Sequence, residues 1–97
     1  MIKGINKKEE NIIKNILKDY QKDFTFYYYG SRVKGTHEKT SDLDILIKGK
    51  DKMPLATLEE LKEKFDSSFL PFVVNFSDYN SITKEFYNLI QKDLVIV

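Results

Sequence analysis

Phe24-Thr25-Phe26-Tyr27-Tyr28-Tyr29-Gly30-Ser31, then the ten residues 32–41, then Asp42-Leu43-Asp44-Ile45-Leu46-Ile47, is the stretch on which the fold of this 97-residue chain turns. A run of aromatic and β-branched residues ended by glycine reads as a strand covered on both faces, because such side chains suit the pleated surface of a sheet. From Asp42 to Ile47 the pattern alternates and sets Leu43, Ile45 and Ile47 on one side, which marks a second strand. Between the two lie a turn at Gly30-Ser31, a short helix that Gly35 stops, and a polar loop ending Glu38-Lys39-Thr40-Ser41.

Upstream, Ile12, Ile13, Ile16, Leu17 and Tyr20 recur at helical spacing among charges, predicting an amphipathic helix over Lys7 to Tyr20. Downstream, Pro54 suits the first turn of a helix whose apolar stripe is Leu55, Leu58, Leu61 and Phe65. Phe72 to Phe76 reads as a third strand. Ile82, Phe86, Leu89 and Ile90 share a face of a last helix, and Leu94 to Val97 form a short extended tail. Helices and strands that alternate in this way favour an α/β (α+β) class: one small mixed β-sheet with flanking helices. Ninety-seven residues fit a single domain, 1–97, with no material for a second core.

Composition narrows the chemistry. The chain is 41% apolar with seven Phe and six Tyr, enough for a packed core. Sixteen Lys plus Arg against fifteen Asp plus Glu leave a net charge of +1, with the signs interspersed, so a surface for a nucleic-acid backbone is not expected. There is no cysteine and one histidine, His37, which excludes thiolate and His-rich metal sites. Any metal must therefore be held by oxygen. No segment approaches the roughly 20 apolar residues of a membrane span, and the expected compartment is the cytoplasm.

Two carboxylates separated by one residue on a strand project to the same face with stems about 7 Å apart, so Asp42 and Asp44 can converge on one metal centre. Carboxylate oxygens are the ligands that Mg2+ or Mn2+ prefers, and a metal pair about 3.5–4 Å apart is the usual device for in-line attack at phosphorus. An isolated Asp-x-Asp is more often a solvated strand end. Here it opens the apolar run Ile45-Leu46-Ile47, which places it at the rim of a buried element. Gly30-Ser31 stands where a strand ends and a helix begins, a place where backbone amides and a hydroxyl receive phosphate oxygens. Arg32 and Lys34 follow and are candidates to neutralise triphosphate charge, against the plainer alternative of solvated cations. His37 in the loop reads as solvated, and Tyr27, Tyr28 and Tyr29 as core aromatics before stacking platforms for a base.

Gly30-Ser31, ten residues, then Asp42-Leu43-Asp44 resembles the polymerase-beta-like nucleotidyltransferase superfamily, and the string from Gly30-Ser31-Arg32-Val33-Lys34-Gly35 to Ser41-Asp42-Leu43-Asp44-Ile45 resembles its minimal nucleotidyltransferase branch. The resemblance implies that Gly30, Ser31 and Arg32 hold the triphosphate of ATP while Asp42 and Asp44 bind Mg2+ or Mn2+. It also implies transfer of AMP to a hydroxyl of a small helical partner of the HEPN type, often within a toxin–antitoxin pair. The family's third carboxylate falls, after Leu70-Pro71-Phe72-Val73-Val74, on Asn75, which is neutral and accepts no proton. Asp78 replaces it only if the chain turns after Phe76, since a continuing strand points it the other way. A second function is thus left open: a slow or inactive protein that neutralises its helical partner by docking.

Overall fold

The computed structural model describes residues 2–97. The first helix, α1 (Lys7–Leu17), begins at a reciprocal cap in which the Asn6 side chain accepts from the Glu9 amide at 2.8 Å and the Glu9 carboxylate accepts from the Asn6 amide at 2.9 Å. Glu9 and Glu10 in its first turn face the positive end of the helix dipole. The expected helix runs to Tyr20, but the α-helix stops at Leu17, and a tighter 3₁₀ turn over Lys18–Tyr20 swings the Tyr20 ring into the core.

Strand β1 (Phe24–Tyr29) is followed directly by the four-residue helix α2 (Ser31–Lys34), then by β2 (Leu43–Gly49), α3 (Leu55–Asp66), β3 (Val74–Asp78), α4 (Lys84–Ile90), a 3₁₀ turn at Gln91–Asp93, and β4 (Val95–Ile96). The sheet order is β3-β2-β1-β4. β1 lies antiparallel to β2 and β4, while β2 and β3 are parallel and joined by the crossover helix α3. The sheet is therefore mixed and flanked by helices, as the alternation of elements predicts. Among the described residues no helix is long and apolar enough to cross a membrane.

Period-two alternation splits the strands between two apolar clusters. Phe26, Tyr28, Leu43, Ile45 and Ile47 pack with Ile13 and Leu17 of α1 and Leu61 and Phe65 of α3. Tyr29 and Leu46 point to the other face and meet Ile90, with Ile82 and Phe86 beside them. Burying Phe26, Tyr28 or Leu46 almost completely contributes about 1.5–3 kcal/mol each, the normal magnitude for a large apolar side chain. Tyr28 carries its hydroxyl into the first cluster, where it donates to the buried Glu10 carboxylate at 2.7 Å; burial and that carboxylate push the phenol well above its ordinary range.

One strand boundary and the burial of two leucines differ from expectation. The third strand begins at Val74, two residues late, and continues to Asp78. Leu55, expected on the buried stripe of α3, is 69% exposed, because Met53 ahead of the helix fills the core there and is 1% exposed. Leu89 is 70% exposed: Ile82, Phe86 and Ile90 stand four residues apart, and that spacing defines the buried side of the short α4.

Candidate active site

Strand register assembles the site. Tyr29 is paired with Asp44 across the β1/β2 ladder, and Asp44 with Asn75 across β2/β3, so the three lie in one row across the sheet. Asp42 sits one residue ahead of β2, outside the strand the sequence assigned it to, and is exposed. It remains within reach: the Asn75 side-chain amide donates to Asp42 Oδ2 at 2.8 Å. Burial pushes the Asp44 carboxyl above the usual carboxylate range; the Asn75 amide draws it down and the charge on Asp42 pushes it up again. Two carboxylates joined to one neutral amide form a local excess of negative charge suited to a cation.

The Gly30 turn closes the site from the β1 side. Gly30 has φ +86°, and a Cβ there would run into the Asp44 carboxylate. Only glycine meets both demands, a left-handed backbone and direct contact with the second acid. Its carbonyl accepts from the Val33 and Lys34 amides at 3.1 Å, which starts α2, and the earlier amides at the head of a helix have no intrahelical acceptor. Gly35, at φ +81°, ends α2 in the left-handed cap expected of it, with its amide on the Ser31 carbonyl at 2.9 Å. Ser31 thus lies on a tight turn whose position is tied to Asp44 through Gly30.

Several predicted site residues are engaged elsewhere. Arg32 is 5% exposed. Its Nε and Nη2 donate to the Ser41 carbonyl at 3.0 and 2.8 Å, Nη2 also reaches the Lys39 carbonyl at 3.2 Å, and Nη1 donates to the Gly4 carbonyl. Its guanidinium stacks 4.2 Å from the centre of the Phe72 ring. This engagement departs from the expectation that Arg32 faces a triphosphate, since three carbonyls and an aromatic face already occupy the planar fork. Lys34 forms an ion pair with Asp93 at 3.6 Å. Asp78 faces away from Asn75, as a continuing strand requires, and its oxygens accept from the Met53 amide at 2.8 Å and the Asn80 amide at 2.9 Å. The His37 Nδ1 is buried without a hydrogen-bond partner among the described residues. Tyr28 belongs to the core, and Tyr29 packs edge-on against Phe86 with ring centres 6.1 Å apart.

The sequence did not single out Ser77. It shares the Asn75 face of β3, and its hydroxyl pairs with that of Tyr29 at 2.9 Å beside Asp44. Asn75-x-Ser77 is a period-two signal, legible once the strand is known to continue past Phe76. Phe72 and Gly4 were also missed, and no local pattern marks either.

The donor set suits a divalent metal shared with substrate. Asp42, Asp44 and Asn75 offer oxygen only, the preference of Mg2+ and Mn2+. Among the described residues no group of three or more His, Cys, Asp or Glu side chains is gathered that would hold an ion by protein ligands alone. A pair of carboxylates leaves the rest of such a cation's shell to other oxygen atoms.

The family model described as a nucleotidyltransferase domain matches residues 10–97. A protein of Haemophilus influenzae named "Probable protein adenylyltransferase MntA" is 36% identical over 93 residues, covering 96% of this chain and 82% of its own length. A solved structure described as "Crystal structure of the toxin-antitoxin with AMP-PNP" superposes with a TM-score of 0.74 at 26% identity, covering 90% of this chain and 70% of that one. A family model over most of the chain, a relative in sequence and a matching fold show that the chain belongs to the nucleotidyltransferase domain family.

Proposed function

We propose that this nucleotidyltransferase is a protein adenylyltransferase that moves AMP from ATP to a hydroxyl on a helical HEPN-type partner, in the manner of an antitoxin acting on its toxin. The observation that carries the reading is the contact of Gly30 with Asp44, in a row that also holds Asn75 and reaches Asp42. The printed name of the Haemophilus relative and the AMP-PNP bound in the structural neighbour support adenylyl transfer and a toxin–antitoxin setting.

In this reading the acceptor oxygen forms a bond to the α-phosphorus as the bond from that phosphorus to the α,β-bridging oxygen breaks, and pyrophosphate leaves with the electron pair. Asp42 and Asp44 would hold a divalent cation, and the chemistry it would supply is to offset negative charge on phosphate oxygens. Gly30 and Ser31 receive the triphosphate through backbone amides and the hydroxyl. Asn75 can turn an amide oxygen toward the cation but takes no proton, so the acceptor's proton passes to solvent. That absence makes the chemical step slower than in a three-carboxylate site.

The test is transfer of label from α-labelled ATP to the purified partner with Mg2+ or Mn2+, with pyrophosphate release measured in parallel. Both should vanish in the Asp42→Ala, Asp44→Ala protein. Equal labelling by that variant would move the site elsewhere. The neutral amide of Asn75 on Asp42 also favours a second reading, a docking protein without turnover. A stable complex with no label transferred would establish that reading.

A further inference from the structure

We infer that Arg32 is a positioning residue: with Gly4 and Phe72 it forms a clamp that fixes the loop before Asp42 relative to the Gly30-Ser31 turn. The inference rests on the reading of Asp42 and Asp44 as the metal-nucleotide site and adds to it how one acid is held, since Asp42 lies outside β2. The backbone joining Ser41 to Asp42 is gripped through the Ser41 carbonyl, which accepts from two nitrogens of one guanidinium. The same guanidinium holds the Lys39 carbonyl, so both ends of the Lys39–Ser41 segment answer to one side chain.

The other end of the clamp is the chain's own beginning. Gly4 donates its amide to the Arg32 carbonyl at 2.9 Å and accepts from Arg32 Nη1, a two-point backbone contact with α2. A Cβ at Gly4 would overlap the Arg32 Cα and Cβ, so the strand of chain lies as close to α2 as glycine allows. Ile2 and Ile5, 6% and 5% exposed, anchor it in the first core cluster. Residues 2–5 precede the family match, which begins at residue 10. Phe72 supplies the fourth side from the segment that leads into β3 and Asn75. The clamp therefore touches the approach to all three parts of the site: the Gly-Ser turn through α2, Asp42 through Ser41, and Asn75 through Phe72.

Lysine keeps the charge of Arg32 but cannot serve three carbonyls from one planar fork. Arg32→Lys should lower turnover at saturating Mg2+ and ATP by at least about tenfold, since a displacement of about 1 Å costs up to about 100-fold. KM for ATP should move less than about threefold, because phosphate contacts are not what is lost. Measured without nucleotide, Mn2+ affinity by electron paramagnetic resonance should fall about tenfold, the common effect of removing a group that orients a metal ligand. Hydrogen exchange should quicken at the Ser41 and Leu43 amides, which donate to the Glu38 and Val73 carbonyls. Gly4→Ala alters no site residue and keeps the Arg32 side chain, but its methyl would meet Arg32 Cα and Cβ and push the two segments apart; it should reproduce the pattern if Arg32→Lys folds poorly.

A raised KM with unchanged turnover in Arg32→Lys would overturn the inference and make Arg32 a direct phosphate ligand. Unchanged turnover at a temperature where both variants are folded would reduce the clamp to a structural contact and overturn it as well. If the parent protein transfers no nucleotide, the proposed activity fails on its own. Mn2+ affinity and amide exchange still decide the clamp, and parent-like values for both in Arg32→Lys and Gly4→Ala would refute it.

Discussion

Asn75→Asp separates what the site does for binding from what it does for chemistry. Asn75 donates to Asp42 at 2.8 Å, so the substitution removes a bond to a charged acceptor and installs a third negative charge. At an exposed position the lost bond is worth about 1 kcal/mol, and the new repulsion at about 4 Å in water adds about 1 kcal/mol. Metal-free protein should therefore lose about 2 kcal/mol, or about 8–16 °C in Tm for a domain of this size. The deficit requires ionised carboxylates, so it should shrink in acid, and it should be recovered as Mg2+ is raised to saturation. With metal saturating, the added carboxylate can take the acceptor's proton. Turnover should then rise about 100-fold, the lower range of what a positioned base contributes, while KM for ATP changes little. Label transfer from α-labelled ATP across a Mg2+ titration, with thermal melts at each point, measures both effects. If the variant is less stable without metal yet no faster at saturating metal, Asn75 is not the third position and the assignment of chemistry to this row of the sheet is wrong.

Two further predictions test the same row. Gly30→Ala places a methyl against the Asp44 carboxylate and a side chain at φ +86°, a backbone strain of about 1–2 kcal/mol; transfer should be lost with the protein still folded, read by label transfer beside a circular dichroism melt, and an active Gly30→Ala protein would refute the contact. Burial and then Asp42 raise the Asp44 carboxyl above its unfolded value, so the native state binds the extra proton and metal-free stability falls as pH rises from the unfolded to the folded titration point, staying lower above it. Asp44→Asn should abolish that fall and be the more stable protein at pH 7 without metal, by urea melts between pH 3 and 7, while losing Mn2+ binding. A parent whose stability instead climbs through that window by the same amount as the variant's would contradict the assigned direction.

How much of this was legible in the chain follows from the range of the interactions involved. Phe24–Tyr29 and the alternation through Ile47 are local patterns, and they led to two strands and a turn that the structure contains, with the second strand running over Leu43–Gly49 and leaving Asp42 outside it. The mixed sheet follows from element order. Leu55 and Leu89 were misplaced because an apolar residue at helical spacing is buried only where the sheet extends beneath it, and at those ends Met53 and Ile90 already fill the contact. The end of β3 was misplaced for a related reason: Asn75, Ser77 and Asp78 are poor strand formers, and pairing with β2 decides their conformation.

The site shows the same division at a finer scale. Asp42 and Asp44 are neighbours in the chain, so their proximity can be argued from spacing although Asp42 falls outside β2, and Gly30 from the turn it must make. Arg32 was read from its charge and its place beside Ser31. Yet a cation's role depends on what else competes for it, and the competitors are the carbonyls of Gly4, Lys39 and Ser41, contributed by segments on both sides of it in the sequence. A carbonyl carries no sequence signal, since every residue has one. Only packing reveals when three of them point at one guanidinium, and the desolvation of a buried arginine is offset here by the four hydrogen bonds it donates to backbone carbonyls. Residues proposed to touch the substrate are thus legible from their type and spacing, whereas a residue that holds a loop in place is legible only from the carbonyls it satisfies.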